Sequence, residues 1–194
     1  MASLQEQIES FKNEYYRDNG GKKSSFVLYG KSSQKADLAQ KVSQEFDIQN
    51  LLEQTIFVID NTNKIVIDYT IFKQYANDSN YDIIISHMLT KYDYCINTFG
   101  TYSVHINLAT FTTTAAERYR RIIELFNRRF VQGVETIYMK QLEQFYVYNP
   151  PSMLQMIHTI LKPVMSPRIN AKTQIIPKSE SEEKLAELFT VKNG

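Results

Sequence analysis

Leu142-Glu143-Gln144-Phe145-Tyr146-Val147-Tyr148-Asn149-Pro150-Pro151 is the stretch on which the fold turns. Gln144 to Tyr148 reads as a short aromatic strand, because aromatic and β-branched side chains suit a pleated, half-buried surface. Asn149-Pro150-Pro151 turns the chain: Asn tolerates turn conformations, and proline offers no N–H to continue a ladder. Upstream, Tyr138-Met139-Lys140-Gln141 reads as a helix end feeding the strand. Downstream, a helix from about Ser152 is stopped near Pro163 or Pro167. Thr173 to Ile176 then reads as another strand, and Ser179 caps a final helix with Leu185, Leu188 and Phe189.

The same alternation extends toward the N-terminus. Leu4, Ile8, Phe11 and Tyr15 form one apolar stripe of an amphipathic helix, ended by Asp18-Asn19-Gly20-Gly21. Phe26 to Tyr29 reads as a strand, and Ser32 or Ser33 as the cap of a helix carrying Leu38, Ala39, Val42 and Phe46. Thr55 to Ile59 and Lys64 to Tyr69 flank Asp60-Asn61-Thr62-Asn63, the spacing of a hairpin. A helix is expected over about 81–98, ended by Gly100, then a strand from Ser103 to Ala109. Thr112 to Thr114 cap a further helix whose Tyr119, Ile122, Ile123, Phe126 and Phe130 fall on one face, with Gly133 past its end. Strands alternating with helices predict an α/β fold, a mixed, largely parallel sheet covered by helices. The expected division is 1–25 as an N-terminal helix and loop and 26–194 as one α/β domain.

Composition narrows the function. A length of 194 residues suits one domain, and 43% hydrophobic residues supply a core. Basic and acidic residues number 22 and 21, a net charge of +1, which argues against a dedicated nucleic-acid binder. The single cysteine, Cys95, precludes an internal disulfide and fits a reducing compartment such as the cytosol. No stretch approaches the roughly 20 apolar residues of a membrane span, and the polar N-terminus lacks the apolar core of a secretory signal.

Catalytic chemistry is not legible. Gly30-Lys31-Ser32 imitates the end of a phosphate-binding loop, but position 25 is Ser25 where the motif needs glycine. His87, His105 and His158 are far apart, and none has metal-ligand spacing to a partner. His105 alternates with Val104 and Ile106, so it shares a face with Asn107, either as a hydrogen-bonded core histidine or as a ligand contact. Cys95 reads as a small buried hydrophobe. Asp60, Asp68 and Asp82 form no readable acid/base pair. The expectation is a non-enzymatic protein without a cofactor.

The segment Tyr138 to Pro151, followed by Met153-Leu154-Gln155-Met156-Ile157-His158-Thr159-Ile160-Leu161-Lys162-Pro163-Val164-Met165-Ser166-Pro167 and then Lys172, resembles the C-terminal half of CRAL-TRIO domains. That family holds phosphatidylinositol-transfer, tocopherol-transfer and retinaldehyde-binding proteins. Its pattern is an aromatic strand ending in Asn-x-Pro, an apolar helix running into Lys-Pro, a Ser/Asp-Pro turn, then Lys and an apolar strand. The resemblance is strong over 138–176, weaker from about 102, and topological before that. It implies a lipid pocket floored by the sheet and gated by the helix over about 152–164, with Met153, Met156, Ile157, Ile160 and Val164 toward the lipid. Unbranched thioethers adapt to variable acyl chains, but the same stripe would also serve as permanent core. His105 and Asn107 are further candidate lipid contacts. The inositol-lipid members carry an acidic residue where this chain has Lys140, preceded by Met139 in place of proline. The partner lysine is matched by Lys172, so Lys140 and Lys172 are candidates to hold a lipid phosphate. The usual closing Gly-Gly element and the N-terminal helical lobe are missing, as in the divergent domains of neurofibromin and Rho GTPase-activating proteins.

Arg118, Arg120, Arg121, Arg128 and Arg129 accompany the stripe of 119–130 and fall mostly on its polar side. They read as an ordinary solvated face, or as a surface for anionic headgroups or an acidic partner. Two functions follow. One is a lipid-binding or lipid-transfer module, cytoplasmic and visiting anionic membranes transiently. The alternative is a protein-interaction scaffold of the small-GTPase-regulatory type with a reduced or filled cavity. Neither involves nucleic acid, and the lipid is not identified by the residues.

Overall fold

The computed structural model describes residues 3–19, 29–130, 136–153 and 167–190. The first helices are α1 (Leu4–Asn19), α2 (Tyr29–Glu45) and α3 (Ile48–Thr55). The hairpin β1 (Ile56–Val58) and β2 (Lys64–Asp68) follows, then α4 (Tyr69–Tyr75), α5 (Tyr81–Phe99) and β3 (Tyr102–Asn107). Next come α6 (Thr113–Arg118), α7 (Arg120–Phe130), α8 (Ile137–Gln141) and β4 (Leu142–Tyr148). The chain closes with α9 (Pro167–Ala171), β5 (Thr173–Ile175) and α10 (Lys178–Thr190).

One sheet in the order β1-β2-β3-β4-β5 organises these elements; β1 runs antiparallel to β2, and β2 to β5 run parallel. The expected mixed, largely parallel α/β sheet is therefore present. The hairpin turns at Asn61, whose φ of 57° an asparagine accommodates. Side chains alternate across the sheet. Ile65, Ile67, Tyr102 and Val104 enter the main core with Ile84, Ile85 and Tyr92 of α5, and Phe130 of α7. The opposite face sends Val66 and Tyr148 toward Leu188 of α10. Most helices thus lie over one face, and α10 covers the other. The N-terminal helix is part of the main core: its Ile8 is buried there with Leu38 and Val42 of α2.

Several boundaries depart from the sequence reading. Tyr29 belongs to α2, so Ser32 and Ser33 lie inside that helix, as do Gly30 and Lys31 of the imitation phosphate loop. The rest of the expected strand, 26–28, lies outside the described residues. Thr55 ends α3, a helix not anticipated, which Asp47 starts by accepting the N–H groups of Gln49 and Asn50. The strand expected to reach Tyr69 stops at Asp68, whose carboxylate accepts the Thr70 N–H at 2.7 Å and starts α4 instead. The continuous helix expected to Phe130 is two helices broken at Tyr119. Thr112 caps the first as expected, accepting the Ala115 N–H at 3.2 Å. Gly100 ends α5 at φ 81°, a left-handed position. The final helix begins at Lys178, placing Ser179 inside its first turn.

Candidate functional site

The carboxyl half of β3 carries two of the residues nominated by the sequence, His105 and Asn107. His105 is 4% exposed on the α10 side of the sheet. Its Nε2 lies 3.0 Å from Ser103 Oγ and its Nδ1 lies 2.9 Å from the Tyr148 hydroxyl. The ring stacks on Tyr146 with centroids 4.7 Å apart. Burial, helped by the charge of Lys64, pushes the imidazole down to a pKa of about 4. A neutral, doubly partnered, stacked imidazole is a structural element of this face.

Asn107 closes β3 beside it. Its Oδ1 accepts the Asn149 side-chain N–H at 2.9 Å and the Ala109 backbone N–H at 3.1 Å. Asn149 occupies a left-handed conformation (φ 51°) and donates its own backbone N–H to Ser181 Oγ at 2.8 Å. One asparagine thereby joins β3, β4 and α10. Sequence reasoning found the turn at Asn149 but missed this junction, for Ser181 carries no signal among the polar residues of its helix.

The candidate phosphate pair is arranged differently from the expectation. The Lys172 ammonium donates to the carbonyls of Met139 (3.2 Å) and Leu142, tying the α8–β4 corner to the start of β5. Two of its three donors are thus used by the fold, because carbonyls left unpaired at a helix end need partners. Lys140 is exposed on α8. Of the stripe proposed to face lipid, Met153 is 49% exposed, and Met156, Ile157, Ile160 and Val164 lie outside the described residues.

Phe145, Val147 and Ile175 share the face opposite His105, since Val104 pairs with Phe145 and Val147 with Ile175 in register. The polar pair His105 and Asn107 therefore looks onto α10, and this apolar strip looks onto the helix-rich side. Within the strip Phe145 is half-buried, and Ile175 is 47% exposed.

The arginine face is largely neutralised. Arg120 pairs with Glu124 at 3.1 Å, Arg121 with Asp78 at 3.0 Å and Arg129 with Asp82 at 2.6 Å. Arg128 is exposed, whereas Arg118 belongs to α6 and is half-buried. Cys95 is fully buried, and burial lifts its thiol to about 11, which keeps it protonated. Among the described residues no group of three or more His, Cys, Asp or Glu could hold a metal ion, and no helix is long and apolar enough to cross a membrane.

A mixed, largely parallel sheet, covered by most of the helices on one face and by a terminal helix on the other, defines an α/β domain. The chain belongs to the CRAL/TRIO domain family, whose model matches residues 55–193. Members of that family bind small lipophilic ligands. No curated protein matches the chain.

Proposed function

We propose that this chain is a non-enzymatic lipid-binding module that holds the apolar part of its ligand against Phe145, Val147 and Ile175. The carrying observation is the exposure of Ile175, 47% on the helix-rich face of the sheet, where it pairs with Val147 and lies diagonal to half-buried Phe145. Burying the accessible apolar area of such a side chain against a lipid tail is favourable by roughly 25 cal/mol per Å². Met153, Met156, Ile157, Ile160 and Val164 are then the cover over the ligand, and the segment 152–164 is the gate. Exposed Arg128 on α7 supplies positive charge for transient contact with an anionic membrane.

Native mass spectrometry of freshly purified protein tests the reading: a lipid-sized adduct is expected, and its occupancy should fall in Ile175→Asp without loss of thermal stability. Hydrogen exchange at 152–164 should slow when lipid is bound. Absence of any adduct after incubation with mixed phospholipid vesicles, together with lipid-independent exchange, would overturn it.

A further inference from the structure

A pocket of about 530 Å³ lies outside the carboxyl ends of β2 and β3. Open α/β sheets bind ligands beyond the carboxyl ends of their strands. The cations lining it come from four helices: Lys12 of α1, Lys35 of α2, Lys73 of α4 and Arg118 of α6. Among the described residues, none that lines the pocket is acidic. Lys12 and Lys35 precede the span matched by the family model, so the pocket is a property of this chain's own N-terminal helices joined to the common core.

Three features distinguish this pocket from an ordinary basic surface. Lys73 Nζ donates to a neutral partner, the Thr110 hydroxyl, at 2.7 Å. Burial and the adjacent Lys12 and Lys35 depress its pKa, although Glu9 and Asp68 oppose them; Glu9 itself pairs with Lys12 at 2.7 Å. The Nε of Arg118 is buried without a hydrogen-bond partner among the described residues. Thr110 is held at φ 68°, a conformation that β-branched residues seldom accept and that recurs at ligand clamps. The gathered like charge costs free energy, and an anion placed among Lys12, Lys35, Lys73 and Arg118 would offset it.

We infer that this pocket binds a phosphorylated ligand, its phosphate held by Lys73, Arg118 and Lys35 and its carbon framework resting on Leu38 and Tyr69. A tetrahedral oxyanion suits a guanidinium edge, ammonium groups and hydroxyl donors approaching from several directions, and Thr110 and Thr112 both reach the pocket. The volume exceeds what one phosphate fills and lies within the range of small-molecule sites, roughly 300–1,000 Å³. The shared chemistry is a phosphate group on a compact polar body, whether a soluble phosphoester or a lipid headgroup. The site is separate from the Phe145–Ile175 strip, so its fate is independent of the lipid reading.

Calorimetric titration of the full chain with inorganic pyrophosphate tests the inference, beside sedimentation with phosphatidylcholine vesicles with and without phosphatidic acid. Lys73→Gln and Arg118→Gln should each weaken binding at least about tenfold, as loss of a charge-assisted hydrogen bond implies. Arg128→Gln, on the exposed face of α7, should leave it unchanged. Removing one of several crowded charges should leave the thermal midpoint of the empty Lys73→Gln protein equal or higher, and exposed Lys35→Glu gives the same test should that variant not fold. Pyrophosphate binding that depends on Lys73 assigns a soluble phosphoester. Lys73-dependent binding to phosphatidic acid vesicles alone assigns a headgroup. Binding to neither probe, or binding indifferent to Lys73 and Lys35, overturns the inference.

Discussion

The Nδ1 of His105 lies 2.9 Å from the phenol oxygen of Tyr148, bridging two adjacent parallel strands beneath α10. With Ser103 on the other ring nitrogen and Tyr146 stacked on its face, the imidazole is held neutral in the folded state. Its pKa falls from 6.5 to about 4, through burial first and Lys64 second. The unfolded chain takes up a proton below pH 6.5 that the folded chain refuses. The contribution of His105 to stability is therefore complete above pH 6.5 and is lost as pH falls toward about 4. The loss should approach about 3 kcal/mol at most, at roughly 1.4 kcal/mol per pH unit over that interval. Denaturant unfolding between pH 7 and 4 should show this slope in the wild type and a flatter one in His105→Gln.

Asn149 separates backbone strain from hydrogen bonding. At φ 51° it needs a residue that accepts the left-handed region, and its amide also donates to Asn107 at 2.9 Å. Asn149→Gly should lose about 1 kcal/mol, the hydrogen bond alone. Asn149→Ala should lose about 2–3 kcal/mol, because it adds the cost of the left-handed backbone. Equal losses in chemical denaturation would contradict the assigned conformation.

Lys172 is expected to behave as a structural residue. Its ammonium satisfies the carbonyls of Met139 and Leu142, so Lys172→Met should cost about 1–3 kcal/mol by orphaning them. Lipid occupancy at a temperature where the variant stays folded should be unchanged. A variant of full stability that loses lipid would return Lys172 to the headgroup role.

The break at Tyr119 redistributes burial along α7. Phe130 is 1% exposed and packs on Tyr92 with ring centroids 5.1 Å apart, whereas Phe126 is only half-buried. Phe130→Ala should therefore cost about 3–5 kcal/mol, and Phe126→Ala markedly less. Arg129→Ala removes an exposed pair with Asp82 and should change stability by less than about 1 kcal/mol. Thermal and urea unfolding of the three variants gives the order directly.

The strands and turns were legible because their signals are local. Val104, Ile106 and Phe145 to Tyr148 carry strand propensity, Asn61 and Asn149 mark chain reversals, and Gly100 ends a helix. The resemblance over 138–176 added the family. The short helices α3 and α4 escaped notice because seven or eight residues are marginal as an isolated helix. They exist because Asp47 and Asp68 cap them and because Leu51, Leu52 and Tyr75 are buried in the core.

By itself, the sequence determined the α/β alternation, the sheet-forming segments and the family, because periodicity and turn chemistry act between near neighbours along the chain. Only the tertiary structure decided what the polar groups do. It turned His105 toward Tyr148, spent Lys172 on two carbonyls, paired Arg121 with Asp78 and set Arg118 apart. It also brought Lys12, Lys35 and Lys73 to one pocket from three different helices. The reason is physical: a charge or hydrogen bond is set by distance and burial in space, and residues far apart in the sequence carry no mark of the partner that folding will give them.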